Sequence, residues 1–306
     1  MFLLLLALFF LSHGTSNAAT APTRDLAMGG NVTATSDPAT APFTQPALLG
    51  GTPRLESSFS QARLDEETFL FQTDTVFPVL KGFGLGLSWD EEVARDQVQT
   101  ETVRDSNGQV VVDPTTGQPL QRLLGFFARN DNDWSLAAGA TRGPFSLGGS
   151  VHYLFTQFGP LRGSGWGADA GAHWAGGDWF RASWVVRDLG DTRLRFPRSE
   201  WTVTREAAWA GSLAILHKVG DLSFGLEPGA NRAWRREGRT DWTGGLEAGY
   251  HQALFLRYGI NRDRNSFGMG LVAKPPKVFK EVRIDFAYLA RTGTPYPSRL
   301  TLTVVW

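Results

Sequence analysis

The chain has 306 residues, 30 basic against 30 acidic side chains, 42% hydrophobic residues and no cysteine. Charge balance removes the electrostatic basis for binding nucleic acid, because no basic excess exists to neutralise phosphates. The missing cysteines exclude a disulfide framework, a lipid-anchored lipoprotein and thiolate metal sites. Such a length suits one large β architecture or two ordinary domains.

Phe2 through Leu11 form an apolar run, followed by the small, polar stretch from Ser12 to Ala19. Ser16-Asn17-Ala18 is a small-x-small cleavage site, so residues 1–18 are expected to be a signal peptide and the mature chain to start at Ala19. No Lys or Arg precedes the run, which leaves the α-amino group as its only positive charge. At about ten residues the run is too short for a membrane anchor. No later apolar run approaches the roughly 20 residues of a spanning helix. A membrane form of this chain is therefore a barrel, the other structure that satisfies every backbone polar group in lipid.

Residues 19–52 lack strand alternation. Small residues, four prolines and the paired Gly29-Gly30 describe a compact segment with turns. Met28, Val32, Phe43, Leu48 and Leu49 give it apolar anchors, so a small plug is favoured over a disordered leader. Its order is Ala27-Met28-Gly29-Gly30, an Ala/Thr-rich stretch, Asp37-Pro38-Ala39, then Gln45-Pro46-Ala47-Leu48-Leu49. This resembles the N-terminal hatch of FadL-like outer-membrane barrels, most nearly the PorV/PorQ-type branch, with Gln45 where asparagine is more usual. Gly165-Trp166-Gly167-Ala168-Asp169-Ala170-Gly171, Val186-Arg187-Asp188-Leu189-Gly190 and Asp285-Phe286-Ala287-Tyr288 extend the similarity. The resemblance implies a plug contributed by Met28, Gly29, Gly30, Asp37, Pro38, Gln45 and Pro46. It also implies either a channel for small or hydrophobic molecules or a partner-binding barrel of a secretion or surface-attachment system.

Residues 53–306 read as short amphipathic strands with turn chemistry between them. Candidates before residue 90 are 54–61, 67–76 and 82–89. The polar stretch 90–119, with Asn107-Gly108 as a hairpin signal, reads as a long loop. Strands then follow at 120–129, 134–141, 145–155, 165–174, 179–187, 205–216, 222–234, 242–250, 253–260, 266–273, 282–290 and 299–306. Tight turns at 142–144, 175–178 and 219–221 alternate with longer polar connections at 156–164, 188–204 and 235–241. Such alternation marks barrels with short periplasmic turns and long outer loops. The fold class is all-β: a transmembrane antiparallel β-barrel of about 14 strands, twelve and sixteen staying open, with a small N-terminal plug.

Phasing assigns the faces. In 145–155, Phe145, Leu147, Val151, Tyr153 and Phe155 oppose Ser146, Ser150 and His152. Aromatics gather at strand ends with Ala and Gly between, the pattern of an aromatic girdle around an apolar band. The opposite faces supply a lumen lining of His152, Asp169, His173, Arg181, Arg187, Glu227, Glu247, Arg257, Glu281, Arg283 and Asp285. Four arginines against five of those carboxylates suggest ion pairs across the barrel and against the plug, since a charge-selective pore shows a lopsided inventory. The chain closes on Leu300, Leu302, Val304 and Trp306, one face of a last strand expected to pair with 282–290 and with an early strand. Assembly machinery of the outer membrane is known to read such aromatic-terminated strands.

Chemistry finds little support. His152, His173, His217 and His251 fall in no metal-binding frame, so no metal or cofactor is expected. No Ser elbow or phosphate-binding loop occurs. Ser150 and His152, i and i+2 on one face about 7 Å apart, are the nearest approach to a hydrolase pair. That spacing suits lumen lining better, and no enzyme is expected. The expected partners are outer-membrane lipid and lipopolysaccharide, the assembly machinery, and either a hydrophobic small molecule or a secretion partner. The loop at 90–119 and the arginine-rich loop at 232–239 are the candidate docking sites.

Overall fold

The computed structural model describes residues 21–30, 33–105, 107–115, 117–197, 202–233, 240–262, 264–275, 278–290 and 298–306. The expected signal peptide, residues 234–239 of the arginine-rich loop and the connection at 291–297 lie outside the described residues.

The described strands are β1 Glu56–Arg63, β2 Thr68–Leu80, β3 Phe83–Thr102, β4 Gln121–Arg142, β5 Phe145–Phe158, β6 Leu161–Ala175, β7 Phe180–Arg187 and β8 Thr192–Arg195. They continue as β9 Thr202–Arg205, β10 Ala208–Val219, β11 Leu222–Ala233, β12 Asp241–Tyr250, β13 Leu254–Asn261, β14 Asn265–Ala273, β15 Glu281–Ala290 and β16 Ser298–Val305. Setting aside the β8–β9 hairpin, fourteen strands run antiparallel in one sheet, which closes through β5–β6. The chain ends meet in the wall, because β16 pairs with β1, Glu56 opposite Val305, and with β15. Closure leaves no free edge around the apolar band, so every wall strand has two partners there.

The period-two pattern places apolar side chains outside. Leu147, Leu136, Leu256 and Leu302 point outward and are exposed, whereas Ser150, Ser135, Arg257 and Thr301 beside them are buried inside. Aromatics rim this belt. Trp89, Trp134, Tyr153 and Trp166 stand in register across β3 to β6, with Trp89 and Trp134 stacked at 5.6 Å. Phe145 and Trp174 are paired at the other rim. Tyr153 to Phe145 is eight residues, roughly 27 Å of tilted strand and about 20 Å of height, close to that of a bilayer's apolar layer. A large outward apolar surface with polar side chains inside is the inverse of a water-soluble sandwich.

The sequence reading needs four corrections, although its total of fourteen stands. Residues 90–102 are not loop: β3 runs on to Thr102, keeping the phase of Gly86 and Ser88 through Asp90 and Glu92. They look loop-like because the inner face of a wet lumen is polar, and beyond Trp89 the outer face also leaves lipid. For the same reason the expected strands 120–129 and 134–141 are one strand, β4, whose polar centre spans Asn130–Asp133. The connection at 156–164 shrinks to Gly159-Pro160, with Gly159 at a φ of +57° that the turn requires. The long connection at 188–204 contains β8 and β9. One strand split in two and one early strand left in doubt offset each other in the total.

Beyond Ala94 and Arg129, where β2 and β5 end, β3 and β4 continue together as a two-stranded ribbon to Thr102, roughly 26 Å of strand. Bridges Arg104↔Val110 and Val112↔Pro119 prolong it around the turn Asp105–Gly108. The walls of β7 and β10–β16 stop much sooner, so the barrel has a tall side and a low side.

Candidate functional site

The segment before β1 lies inside the barrel. A helix, α1 (Thr23–Ala27), is followed by a 3-10 turn Pro38–Thr40, a second short helix, α2 (Ala41–Thr44), and a 3-10 turn Pro46–Gly51. Asp37 caps the first 3-10 turn, its carboxylate accepting from Ala39 N at 3.0 Å, while Pro38 takes the first turn position, where no N–H is needed. Leu26 and Ala27 pack on Ala287 and Leu289 of β15, while Ala41 and Leu49 pack on Val76 and Ala137. Met28 is buried against Gly245 and Gly259, and Gly29 and Gly30 take φ of +99° and +95° to reverse the chain behind it. Asn261 Nδ2 donates to Gly29 O at 3.1 Å. The Pro46 carbonyl lies against Gly139 and Gly148, and Gln45 Nε2 donates to Ser183 Oγ at 2.5 Å and Trp184 O at 3.1 Å.

The charges chosen from the sequence all lie on lumen-facing rows, and most are brought together by the hatch. Arg24 forks onto Glu247 with both contacts at 3.0 Å. Arg257 bridges Glu247 at 2.7 Å to Asp285. Arg283 reaches Asp37 at 2.7 Å, Glu56 at 3.0 Å and Glu281 at 3.2 Å. Glu227, buried, accepts from Ala34 N at 2.8 Å, Ser212 Oγ at 2.5 Å and the Thr35 hydroxyl. His173 Nε2 sits 3.2 Å from Ala34 O, and Arg187 lies over the Phe43 ring and donates to Thr44 O at 3.4 Å. Arg181 lies within the field of Arg24 and Glu227. Partners fixed in place offset the cost of taking each of these charges out of water. Among these seams lies a cavity of about 270 Å³ between the hatch and β12–β15, reached by Gln252 and Lys274.

A second insertion comes from the opposite end. After β7 the chain turns inward at Asp188 and Asp191, both at positive φ, and β8–β9 lies against the lumen face of β6. A row of glycines on that face permits it. At Gly163 a Cβ would stand 2.7 Å from the Phe196 ring, at Gly165 it would meet the Arg193 carbonyl, and at Gly167 the His152 ring and Thr192. Two positions further, Gly171 accommodates Gln45 of the hatch. One strand therefore carries the contact surfaces of both insertions. Leu154, Leu194 and Phe196 form a buried apolar seal there, joined by Leu161 and Val203.

His152 sits beneath the hairpin, with Nδ1 3.8 Å from Asp133 Oδ2 and Nε2 3.4 Å from Asp188 Oδ1. Arg205 of β9 bridges Asp133 at 3.3 Å and Asp188 at 3.5 Å, which ties the hairpin to the wall. Ser150 Oγ donates to Asp169 Oδ2 at 3.2 Å, and Asp169 also accepts from Asp188 N at 2.9 Å. Ser150 is thus engaged by Asp169, and no nucleophile–base pair forms with His152. Among the described residues no three His, Asp or Glu converge to hold a metal ion.

Several lumen residues escaped the sequence reading. Asp74, Asp90, Glu92, Asp131 and Asp133 line β2 to β4, with Arg129, Arg205 and Arg299 as the arginines among them. The lumen inventory is therefore lopsided on this wall, against the balanced one expected. The signal was present: Gly86, Ser88, Asp90 and Glu92 keep one parity. Leu300, Leu302 and Trp306 of the closing strand face outward and are exposed; Val304, on the same face, is half-buried. Trp306 N donates to Leu55 O at 3.0 Å, and its ring meets Phe279 at 4.7 Å.

No protein-family model matches the chain, and no curated protein matches it in sequence. Solved structures do match in fold. The CymD monoaromatic hydrocarbon channel aligns with a TM-score of 0.61 at 10% identity, covering 93% of this chain and 96% of its own. The Pseudomonas putida toluene transporter TodX gives 0.58 at 11% identity, covering 92% and 96%. A Pseudomonas aeruginosa FadL homologue gives 0.54 at 13% identity, covering 94% and 98%. With an N-terminal hatch seated inside fourteen closed strands, the chain has the hatched-barrel fold of FadL-type channels.

Proposed function

We propose that the protein is an outer-membrane channel for small hydrophobic molecules. It would reach that membrane through the leader at 1–18, and the assembly machinery would read the closing strand that ends at Trp306. The observation that carries the reading is a lumen stopped twice, by the hatch below and the β8–β9 hairpin above, inside a wall that already closes on itself. Neither insertion is needed to complete the sheet, so their place is to control what passes. The apolar seal of Leu154, Leu194 and Phe196 is the first inner surface a molecule meets from the outer mouth, and it suits an apolar solute. The hydrocarbon channel CymD and the toluene transporter TodX, which share the fold, support the same substrate class. Reconstituted in lipopolysaccharide-containing liposomes, the barrel should speed toluene uptake several-fold over empty vesicles. Removing residues 21–50 should turn a quiet barrel into an ion-conducting pore in planar bilayers. Uptake equal to that of lipid alone, with no change in conductance, would overturn the channel.

The β3–β4 ribbon favours a second reading, a partner-binding barrel of the PorV/PorQ type. Past Ala94 on one side and Arg129 on the other, the ribbon's edges have no strand partner in the described residues, and Leu123, Leu124 and Phe126 are exposed. Unpaired edges with apolar side chains are sites for strand addition. A photo-crosslinker at residue 124 should then capture one defined protein in native membranes. Capture of lipopolysaccharide alone would leave the barrel standing by itself.

A further inference from the structure

The tall wall holds a carboxylate that the ion-pair network leaves out. Asp90 faces the lumen from β3 and is 7% exposed, yet its Oδ2 has no hydrogen-bond partner among the described residues. Its neighbours are engaged elsewhere. Directly opposite on β4 is Asp133, held by Arg205 and His152; on the β2 side is Gln72, whose amide donates to Asp74 at 3.2 Å. Arg299 acts on Asp90 from β16, but its guanidinium donates to Ala21 O at 2.9 Å and to Gln72. Asp133, Glu92 and Asp74 add like charge around it. Like charges directly opposed across an antiparallel pair are destabilising, and a buried charge without a donor costs more. Of its neighbours on this wall, Asp74 accepts from Ser58 at 3.1 Å and Glu92 is ion-paired with Arg129 at 3.7 Å, whereas Asp90 has neither a donor nor a cation of its own among the described residues.

We infer that Asp90, backed by Asp74 and Asp133, is a binding site for the ammonium group of a small amine with an apolar body. The vacant partner must carry positive charge and donate hydrogen bonds. A metal ion is disfavoured, because no three His, Asp or Glu among the described residues converge to hold one. An ammonium needs no such cage; it donates three hydrogen bonds and tolerates a partly wet setting. The rest of the molecule would lie toward the apolar seal under the hairpin, since Leu154 is the residue opposite Asp133 on β5. The inference takes from the channel reading only the lumen as the ligand's path.

The test is calorimetric titration of the full barrel in detergent micelles with 2-phenylethylammonium, and with 2-phenylethanol as its uncharged analogue. The amine should bind saturably and at least ten-fold tighter than the alcohol. Asp90→Asn should lose at least ten-fold in amine affinity, Asp90→Glu should stay within about three-fold, and Asp221→Asn on an exposed turn should change nothing. Each variant is first checked for the heat-modifiable band of the folded barrel. Absent binding, equal binding of the alcohol, wild-type affinity in Asp90→Asn, or complete displacement by an equal concentration of sodium would each overturn the site. Toluene flux run in parallel separates the two ideas. A barrel that binds the amine but passes no toluene loses the channel and keeps the site, and the converse loses the site alone.

Discussion

Two sides of one lumen are built to opposite rules. On the low side, β10 to β16 and β1, the wall's charges meet partners on the hatch: Glu247 with Arg24, Arg283 with Asp37, Glu227 with the backbone at Ala34. On the tall side, β2 to β6, carboxylates face carboxylates, Asp90 opposite Asp133 and Glu92 opposite Asp131, with Arg129, Arg205 and Arg299 as the arginines that answer them. The low side behaves as an interior that happens to be charged. Its ion pairs close on the hatch, so they hold the hatch in position. The tall side is incomplete, and incompleteness in a buried polar wall is what a ligand or a moving element can answer.

The strongest way to break that contrast is to damage the complete side. Arg257 holds Glu247 and Asp285 at once, with its side chain 4% exposed. Arg257→Ala leaves two buried carboxylates short of their cation, a loss of about 3–5 kcal/mol by analogy with broken buried pairs. The urea midpoint for conversion of the folded gel band should fall clearly, and the hatch should become cleavable by added protease. Arg257→Ala that melts with wild type would show that the low side is wetter than its burial implies.

Next comes the hairpin. Phe196 fills the space over Gly163 and is 8% exposed, so Phe196→Ala should cost about 3 kcal/mol of local packing. That loss falls on β8–β9, which is otherwise held by Arg205, one bridge to β6 and the rest of the apolar seal. Toluene flux should rise while the urea midpoint of the whole barrel barely moves. A change in midpoint without a change in flux would make the hairpin part of the wall and not a stopper.

Gly148→Ala probes the hatch seat from the tall side. A Cβ there overlaps the Pro46–Ala47 backbone, which no rotamer change can relieve. Overpacking of this kind costs about 1–3 kcal/mol, and the hatch is the part free to yield. Ion conductance in planar bilayers should appear in the variant and be absent in wild type. Gly125→Ala, at an open position on the ribbon, should behave as wild type in the same assay.

How far the sequence reached follows the same divide. The alternation of Leu147, Val151 and Tyr153 against Ser146, Ser150 and His152 is local, as are the leader, the turns and the closing strand, so the barrel and its strand total were legible. The hatch network was half legible: Asp37, Glu247 and Arg283 stand out in phase, but their pairing spans hundreds of residues and depends on how the hatch folds back. Arg24 was passed over for that reason. On the tall wall it was the extension at 90–102 that was misread, because a polar inner face in a wet lumen resembles loop. Asp90 and Glu92 keep the parity of Gly86 and Ser88, and following that parity past Trp89 would have extended β3. The β8–β9 hairpin gave only a weak signal, since four-residue strands of alternating Thr, Arg and Leu do not stand out from a polar connection. The glycine row on β6 was visible, but its meaning required knowing what lies against it.

The mildest prediction bears most directly on the contrast. Asp90→Asn and Asp285→Asn make the same chemical change on opposite sides of the lumen. Asp285 is the partner of Arg257, so its neutralisation should lower the urea midpoint. At Asp90 the lost charge was opposed by Asp133 and flanked by Asp74 and Glu92, with Arg299 already bound to the hatch. Removing it relieves like-charge repulsion and leaves an amide that is cheaper to bury, so the midpoint should hold or rise, by under about 1 kcal/mol. Equal destabilisation by both variants would mean that Asp90 is part of the scaffold after all. The reasoning extends to salt: repulsion at Asp90 is buried and little screened, so the difference between the two variants should survive 1 M sodium chloride.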